Sequence, residues 1–95
     1  MQSYRVIIEP EAGDDLVNIY AYISSSHDSV TQGQRFLHKL QIAINSLNYM
    51  PERFRKRIYI DDGKTHDMVV HGYTICYQLR EKTVHVVAVF RQRAL

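Results

Sequence analysis

Ninety-five residues make one small domain, whose core stays thin unless a partner adds to it. The 45% apolar content argues against disorder, one cysteine excludes an internal disulfide, and no run nears the roughly 20 apolar residues of a membrane helix. The net charge of +2 hides an asymmetry: residues 1–47 sum to −2 and residues 48–95 to +4, so a polyanion or acidic partner is drawn to the second half.

In chain order, Ser3 to Ile8 reads as a strand, with Tyr4, Val6 and Ile8 on one face. Pro10 suits the first turn of a helix, and Glu11, Asp14 and Asp15 crowd the positive end of its dipole. Ala12, Leu16, Ile19 and Ile23 form the apolar stripe, and Ser24 to Asp28 ends it. Ser29 and Gln32 have capping-box spacing and start a second helix. Its stripe is Phe36, Leu37, Leu40, Ala43, Ile44 and Leu47, and Pro51 closes the segment. Gly33 costs this helix about 1 kcal/mol relative to alanine, a cost that a close approach to the first helix would explain. The short connection makes the pair an antiparallel hairpin.

From Pro51 the pattern turns to strands. Arg57 to Ile60 is a short one, and Asp61-Asp62-Gly63-Lys64 carries an Asp-Gly turn signal. Asp67 to Val70 follows, then a tight turn at His71-Gly72. Tyr73, Ile75, Tyr77 and Leu79 alternate with Thr74, Cys76 and Gln78, as in a half-covered strand. Arg80-Glu81-Lys82 turns the chain into a last strand, Thr83 to Phe90. The order β-α-α-β-β-β predicts an α+β fold, a helical hairpin on one face of a largely antiparallel, curved sheet of four to five strands. The first strand is expected to pair inside that sheet. No secretory leader is recognisable, so a cytoplasmic protein is expected.

Little in the first half can do chemistry. Arg53, Arg55, Lys56 and Arg57 put four cations within five residues, a surface for phosphate or carboxylate groups or simply a solvated loop. Arg91 and Arg93 alternate to one side of the last strand, and a curled sheet would bring them near that loop. His66 and His71 are an odd number apart and face opposite sides of a strand, which disfavours a shared metal; a lone cysteine builds no zinc site. No metal or cofactor is expected. His71, in a turn beside a glycine, has the chemistry of a general acid or base, or no role beyond the turn. Cys76 reads as an inert buried thiol, and Tyr73 and Tyr77 as core aromatics.

Three segments carry a resemblance. Asp14-Asp15-Leu16-Val17-Asn18-Ile19-Tyr20-Ala21-Tyr22-Ile23 resembles the first helix of ParE-type toxins, and Phe36 to Leu47 followed by Pro51 resembles their second. Gly72-Tyr73-Thr74-Ile75-Cys76-Tyr77 is similar to the Gly-Tyr-x-x-x-Tyr strand of the wider RelE/ParE superfamily. Val89-Phe90-Arg91-Gln92-Arg93 stands where many members have a valine, a histidine and a basic pair. The resemblance spans essentially the whole chain.

It implies a bacterial type II toxin, neutralised by a cognate antitoxin that wraps it with an extended segment. RelE-like members cleave ribosome-bound messenger RNA without a metal; ParE-like members poison DNA gyrase by binding it. Thr74 stands where the RelE pattern has an arginine, and Leu95 ends the chain before the tail that carries a catalytic tyrosine in some members. Both departures and the long hairpin favour the ParE branch, with Arg53, Arg55, Lys56, Arg57, Arg91 and Arg93 as target contacts. On the RelE-like alternative, an mRNA endoribonuclease, His71 is the acid/base, with Arg53, Arg55, Arg91 and Arg93 as phosphate stabilisers. A third alternative is an inactive homologue that acts only with its antitoxin.

Overall fold

The computed structural model describes residues 3–54, 56 and 63–91. They form β1 (Arg5–Ile8), α1 (Pro10–Ser26), α2 (Val30–Asn45), short 3-10 turns at Ser46–Asn48 and Pro51–Arg53, then β2 (Thr65–Val70), β3 (Tyr73–Arg80) and β4 (Thr83–Arg91). The expected strand at 57–60 and the aspartates of the turn after it lie outside the described residues.

Both helices form for the local reasons read in the sequence. Pro10 opens α1. The Ser29 hydroxyl accepts the Gln32 backbone N–H at 3.2 Å, which satisfies one of the unpaired donors at the start of α2. Ala12, Leu16 and Ile19 of α1 and Leu40 and Ile44 of α2 are buried as two facing stripes. Gly33 lies where α2 comes close to α1. An added Cβ there would stand 1.9 Å from Ser24 Oγ and 3.0 Å from the Tyr20 carbonyl oxygen.

The described strands form one sheet in the order β1-β4-β3-β2, with β1 parallel to β4 and the other pairs antiparallel. Thus, among the described strands, β1 is at an edge and not in the interior. Parallel pairing needs a long crossover, which the helical hairpin and the following strands supply. The outer side of β1 is closed by the loop after α2, where Tyr4 N–H donates to Asn48 O at 2.7 Å. This covering makes the edge position tolerable. The second strand starts at Thr65 instead of Asp67, because Thr65 and His66 already pair with Gln78 and Tyr77. Every residue of β3 from Tyr73 to Tyr77 is buried, Thr74 and Cys76 included, so β3 is covered on both faces and not one.

Two-residue turns join the last three strands. His71 (φ 53°) and Gly72 (φ 81°) both take left-handed backbone, the hairpin geometry that matches strand twist. In β4 the register slips: Cys76 faces Ala88 while Tyr77 faces Val86, leaving Val87 as a bulge. Without it, Val84 and Val86 could not share the helix-facing side with Val89, which is also buried in the core. The bulge therefore also decides which face Arg91 joins. Among the described residues no helix is long and apolar enough to cross a membrane.

Candidate functional site

The residues singled out by sequence separate into two places. The first is the loop after α2. Met50 takes left-handed backbone (φ 46°) and reverses the chain into Pro51. The Tyr77 hydroxyl, buried in the core, donates to the Pro51 carbonyl at 2.5 Å and fixes the loop to β3. His66 stacks on the Tyr77 ring, with centroids 5.5 Å apart, and its Nδ1 donates to the Lys64 carbonyl at 3.2 Å. Arg53 Nη1 donates to the carbonyls of Tyr49 and Met50, and its guanidinium carbon lies 4.6 Å from the centre of the Phe54 ring. Arg53 therefore clamps the loop that carries it. Lys56 is exposed and pairs through its backbone with His66. Arg55 and Arg57 lie outside the described residues.

Burial raises the Tyr77 phenol far above its ordinary pKa; Arg53 opposes that rise, while Glu52 and Asp67 reinforce it. Tyr4 is raised as well, by desolvation and by Glu52.

The second place is the opposite end of the sheet. Arg91 is in register with Tyr73, and His71 occupies the adjoining turn. His71 is exposed and meets the edge of Phe36 at 6.4 Å between centroids; Phe36 in turn tilts against Tyr73 at 5.4 Å. Tyr73 and Tyr77 are four positions apart along β3, about 13 Å of strand. Arg53 stays with the loop that Tyr77 holds, and Arg91 pairs with Tyr73, so the two described cations belong to different ends of β3. Arg93 lies outside the described residues. Among the described residues no three His, Cys, Asp or Glu side chains gather as a metal site.

Arg91 opens instead onto a cleft of about 290 Å³ between α1 and the end of β4. Asn18, Tyr22 and Ile19 form its helical wall, and Tyr73, Val89 and Phe90 its strand wall. Tyr22 is 54% exposed and Phe90 40%. Arg91 and the half-open Tyr22 ring face each other across the cleft, which has room for an inserted side chain; Phe90, in register with Thr74, turns its ring to the other side of the sheet. Beyond Ile8, the outer edge of β4 is not paired with β1. Asp15 supplies the missing acceptor there, its Oδ2 taking the Val89 N–H at 2.9 Å.

The sequence reading counted Asp15 only as a dipole partner; a bond to a strand 74 residues away leaves no local signal. Asp15→Ala should destabilise the fold by about 1 kcal/mol, since solvent partly replaces the lost acceptor. A denaturant titration of the variant measures this. Sequence reading also missed His85, whose Nδ1 donates to Glu9 Oε1 at 2.9 Å.

The family model described as "ParE toxin of type II toxin-antitoxin system, parDE" matches residues 6–95. Among solved structures, a chain of the chromosomal ParDE toxin–antitoxin system from P. aeruginosa is similar at TM-score 0.81 and 10% identity, covering 96% of this chain and 98% of that one. A chain of the toxin–antitoxin complex RelBE2 from Mycobacterium tuberculosis is similar at TM-score 0.70 and 20% identity, covering 97% and 94%. At these identities the structures speak to the fold. No curated protein sequence matches.

Proposed function

Because the chain belongs to the ParE toxin family of type II toxin–antitoxin systems, we propose that it arrests growth by binding DNA gyrase and is neutralised by a cognate antitoxin. The observation that carries the reading is the Arg91 cleft, whose cation and half-open Tyr22 suit contact with another macromolecule. A nuclease needs its acid/base and its phosphate-stabilising cations around one reacting atom. Here His71 packs against Phe36, while Arg53 serves its own loop at the far end of the sheet. Thr74, at the position where RelE-like chains carry arginine, is 7% exposed and too short to reach a substrate from β3. Arg91, with Lys56, Arg55, Arg57 and Arg93, forms the proposed contact set.

The test starts in cells induced for this chain alone, with DNA and protein synthesis pulse-labelled within minutes. DNA synthesis is expected to fail first, and purified toxin to block gyrase supercoiling. Arg91→Ala combined with Tyr22→Ala should weaken that inhibition at least about tenfold, as expected for hot-spot positions. His71→Ala should change it less than about twofold, since an exposed turn side chain contributes little. Early failure of protein synthesis, with toxicity abolished by His71→Ala, would instead establish a ribonuclease.

A further inference from the structure

The sheet face turned away from the helices carries a cluster that neither the sequence reading nor the toxin family accounts for. Val84, Val86, Ile75 and Tyr77 join the helices in one core, so their neighbours in β3 and β4 point to the other side. At the β3–β4 hairpin this other side is polar and basic. The register sets Arg5, Thr83 and Arg80 abreast on three adjacent strands. The next row on the same face is Ile7, His85, Gln78 and Thr65.

The side chains within this patch are held in place. Arg80 Nη2 donates to Gln78 Oε1 at 2.8 Å, which draws the guanidinium toward the His85 row. His85 gives its Nδ1–H to Glu9 at 2.9 Å, so the Glu9 carboxylate is engaged. Arg5 and Arg80 are exposed, with their Cα atoms two strand spacings apart, about 10 Å, and the Thr83 hydroxyl between them. Lys82 stands in the turn beside them and its carbonyl accepts the Arg5 N–H. Glu81, in the same turn, is the other acidic group at this end among the described residues.

We propose that Arg5 and Arg80, with the Thr83 hydroxyl, form a contact site for the phosphodiester backbone of a nucleic acid. Three features select that ligand. The site holds two guanidinium forks and a hydroxyl, so recognition rests on charge and hydrogen bonding, as with phosphates. The Cα atoms of its two arginines stand about 10 Å apart, so spaced phosphates of a polymer fit it better than a small phosphorylated molecule does. Finally, the cations are arrayed across strands, as a surface that tracks a backbone requires. The site is distinct from the Arg91 cleft, and it stands whether or not gyrase is the target.

The test measures fluorescence anisotropy of labelled 20-mer single-stranded RNA and of labelled 20-base-pair DNA with the full chain, across a salt series. Saturable binding of either probe is expected at low salt, with affinity falling steeply as salt rises. Arg5→Gln with Arg80→Gln should lower affinity about tenfold and flatten the log–log salt slope by about 1.4 for the single strand or 1.8 for the duplex. The control removes the same charge from α2, by Arg35→Gln with Lys39→Gln, and should leave affinity within about twofold. The RNA and DNA arms identify which nucleic acid supplies the backbone. Absence of binding to both probes, or an equal loss in the α2 control, would overturn the assignment. Circular dichroism of both variants verifies that these exposed substitutions leave the fold intact.

Discussion

Tyr77→Ala should leave most of the chain unfolded at 37 °C. Deleting a fully buried aromatic side chain costs about 3–5 kcal/mol, a large part of the stability of a domain this small. The position is unusually connected. The Tyr77 ring is a core element and the platform for His66, and its hydroxyl fixes Pro51. Through Pro51 it also places the loop that Arg53 clamps. Tyr77→Phe separates these contributions. It keeps the ring and removes only the hydroxyl, leaving the Pro51 carbonyl without its donor, at about 1–3 kcal/mol. The midpoint should shift by roughly 4–8 °C for each kcal/mol in a chain of this length. Thermal unfolding of the two variants beside the parent gives both numbers, and a Phe variant as unstable as Ala would show that the hydroxyl, not the ring, dominates.

The same residue predicts an alkaline limit to stability. The folded protein raises the Tyr77 pKa, so the folded state favours the neutral phenol more than the unfolded chain does. The stabilisation is complete below the unfolded tyrosine value near 10 and is lost as pH rises through and beyond it toward the folded value. Tyr4 has the same sign. Denaturant midpoints measured from pH 8 upward should fall above pH 10, and Tyr77→Phe should make the fall shallower. A profile unchanged by that substitution would assign the alkaline loss to other groups.

What the sequence made legible was local. Pro10, Ser29 with Gln32, and the two apolar stripes specify the helices by backbone chemistry and periodicity, and both helices stand where they were expected. The His71-Gly72 turn was readable because left-handed backbone favours glycine. Strand order was not readable. Whether β1 lies inside or at the edge depends on which strand the final hairpin places beside it, and parallel pairing leaves no mark in β1 itself. The bulge at Val87 was equally hidden, although it sets the face that Arg91 shares with Val89. The candidate site divides in the same way. Cationic residue types could be singled out from the chain, but a cation free to meet a partner and one spent on its own loop look alike in sequence. Arg53 and Arg91 differ only once the carbonyls of Tyr49 and Met50 are in view. His85 drew no notice because its partner, Glu9, lies 76 residues away.

Gly33→Ala should destabilise the protein despite alanine's better helix propensity. Propensity alone favours alanine by about 1 kcal/mol. Packing opposes it by more. The new methyl would overlap Ser24 Oγ at 1.9 Å and press on the Tyr20 carbonyl at 3.0 Å and Ser24 Cβ at 3.1 Å. The hydroxyl can rotate away, but the carbonyl and the Cβ belong to the frame of α1, so the helices must separate. Overpacking of this kind costs about 1–3 kcal/mol, and Gly33→Val, with two further methyl groups, should exceed it. Ser24 is also poorly served by its site: its Oγ is buried and has no hydrogen-bond partner among the described residues. Ser24→Ala should therefore be neutral or stabilising by about 1 kcal/mol. Combined with Gly33→Ala it removes the severest overlap, so the double variant should recover part of the loss. The two residues touch, so the cycle should be non-additive by more than about 0.5 kcal/mol. Strict additivity would mean that the hydroxyl is not the obstacle and that the Tyr20 carbonyl alone sets the separation of the helices.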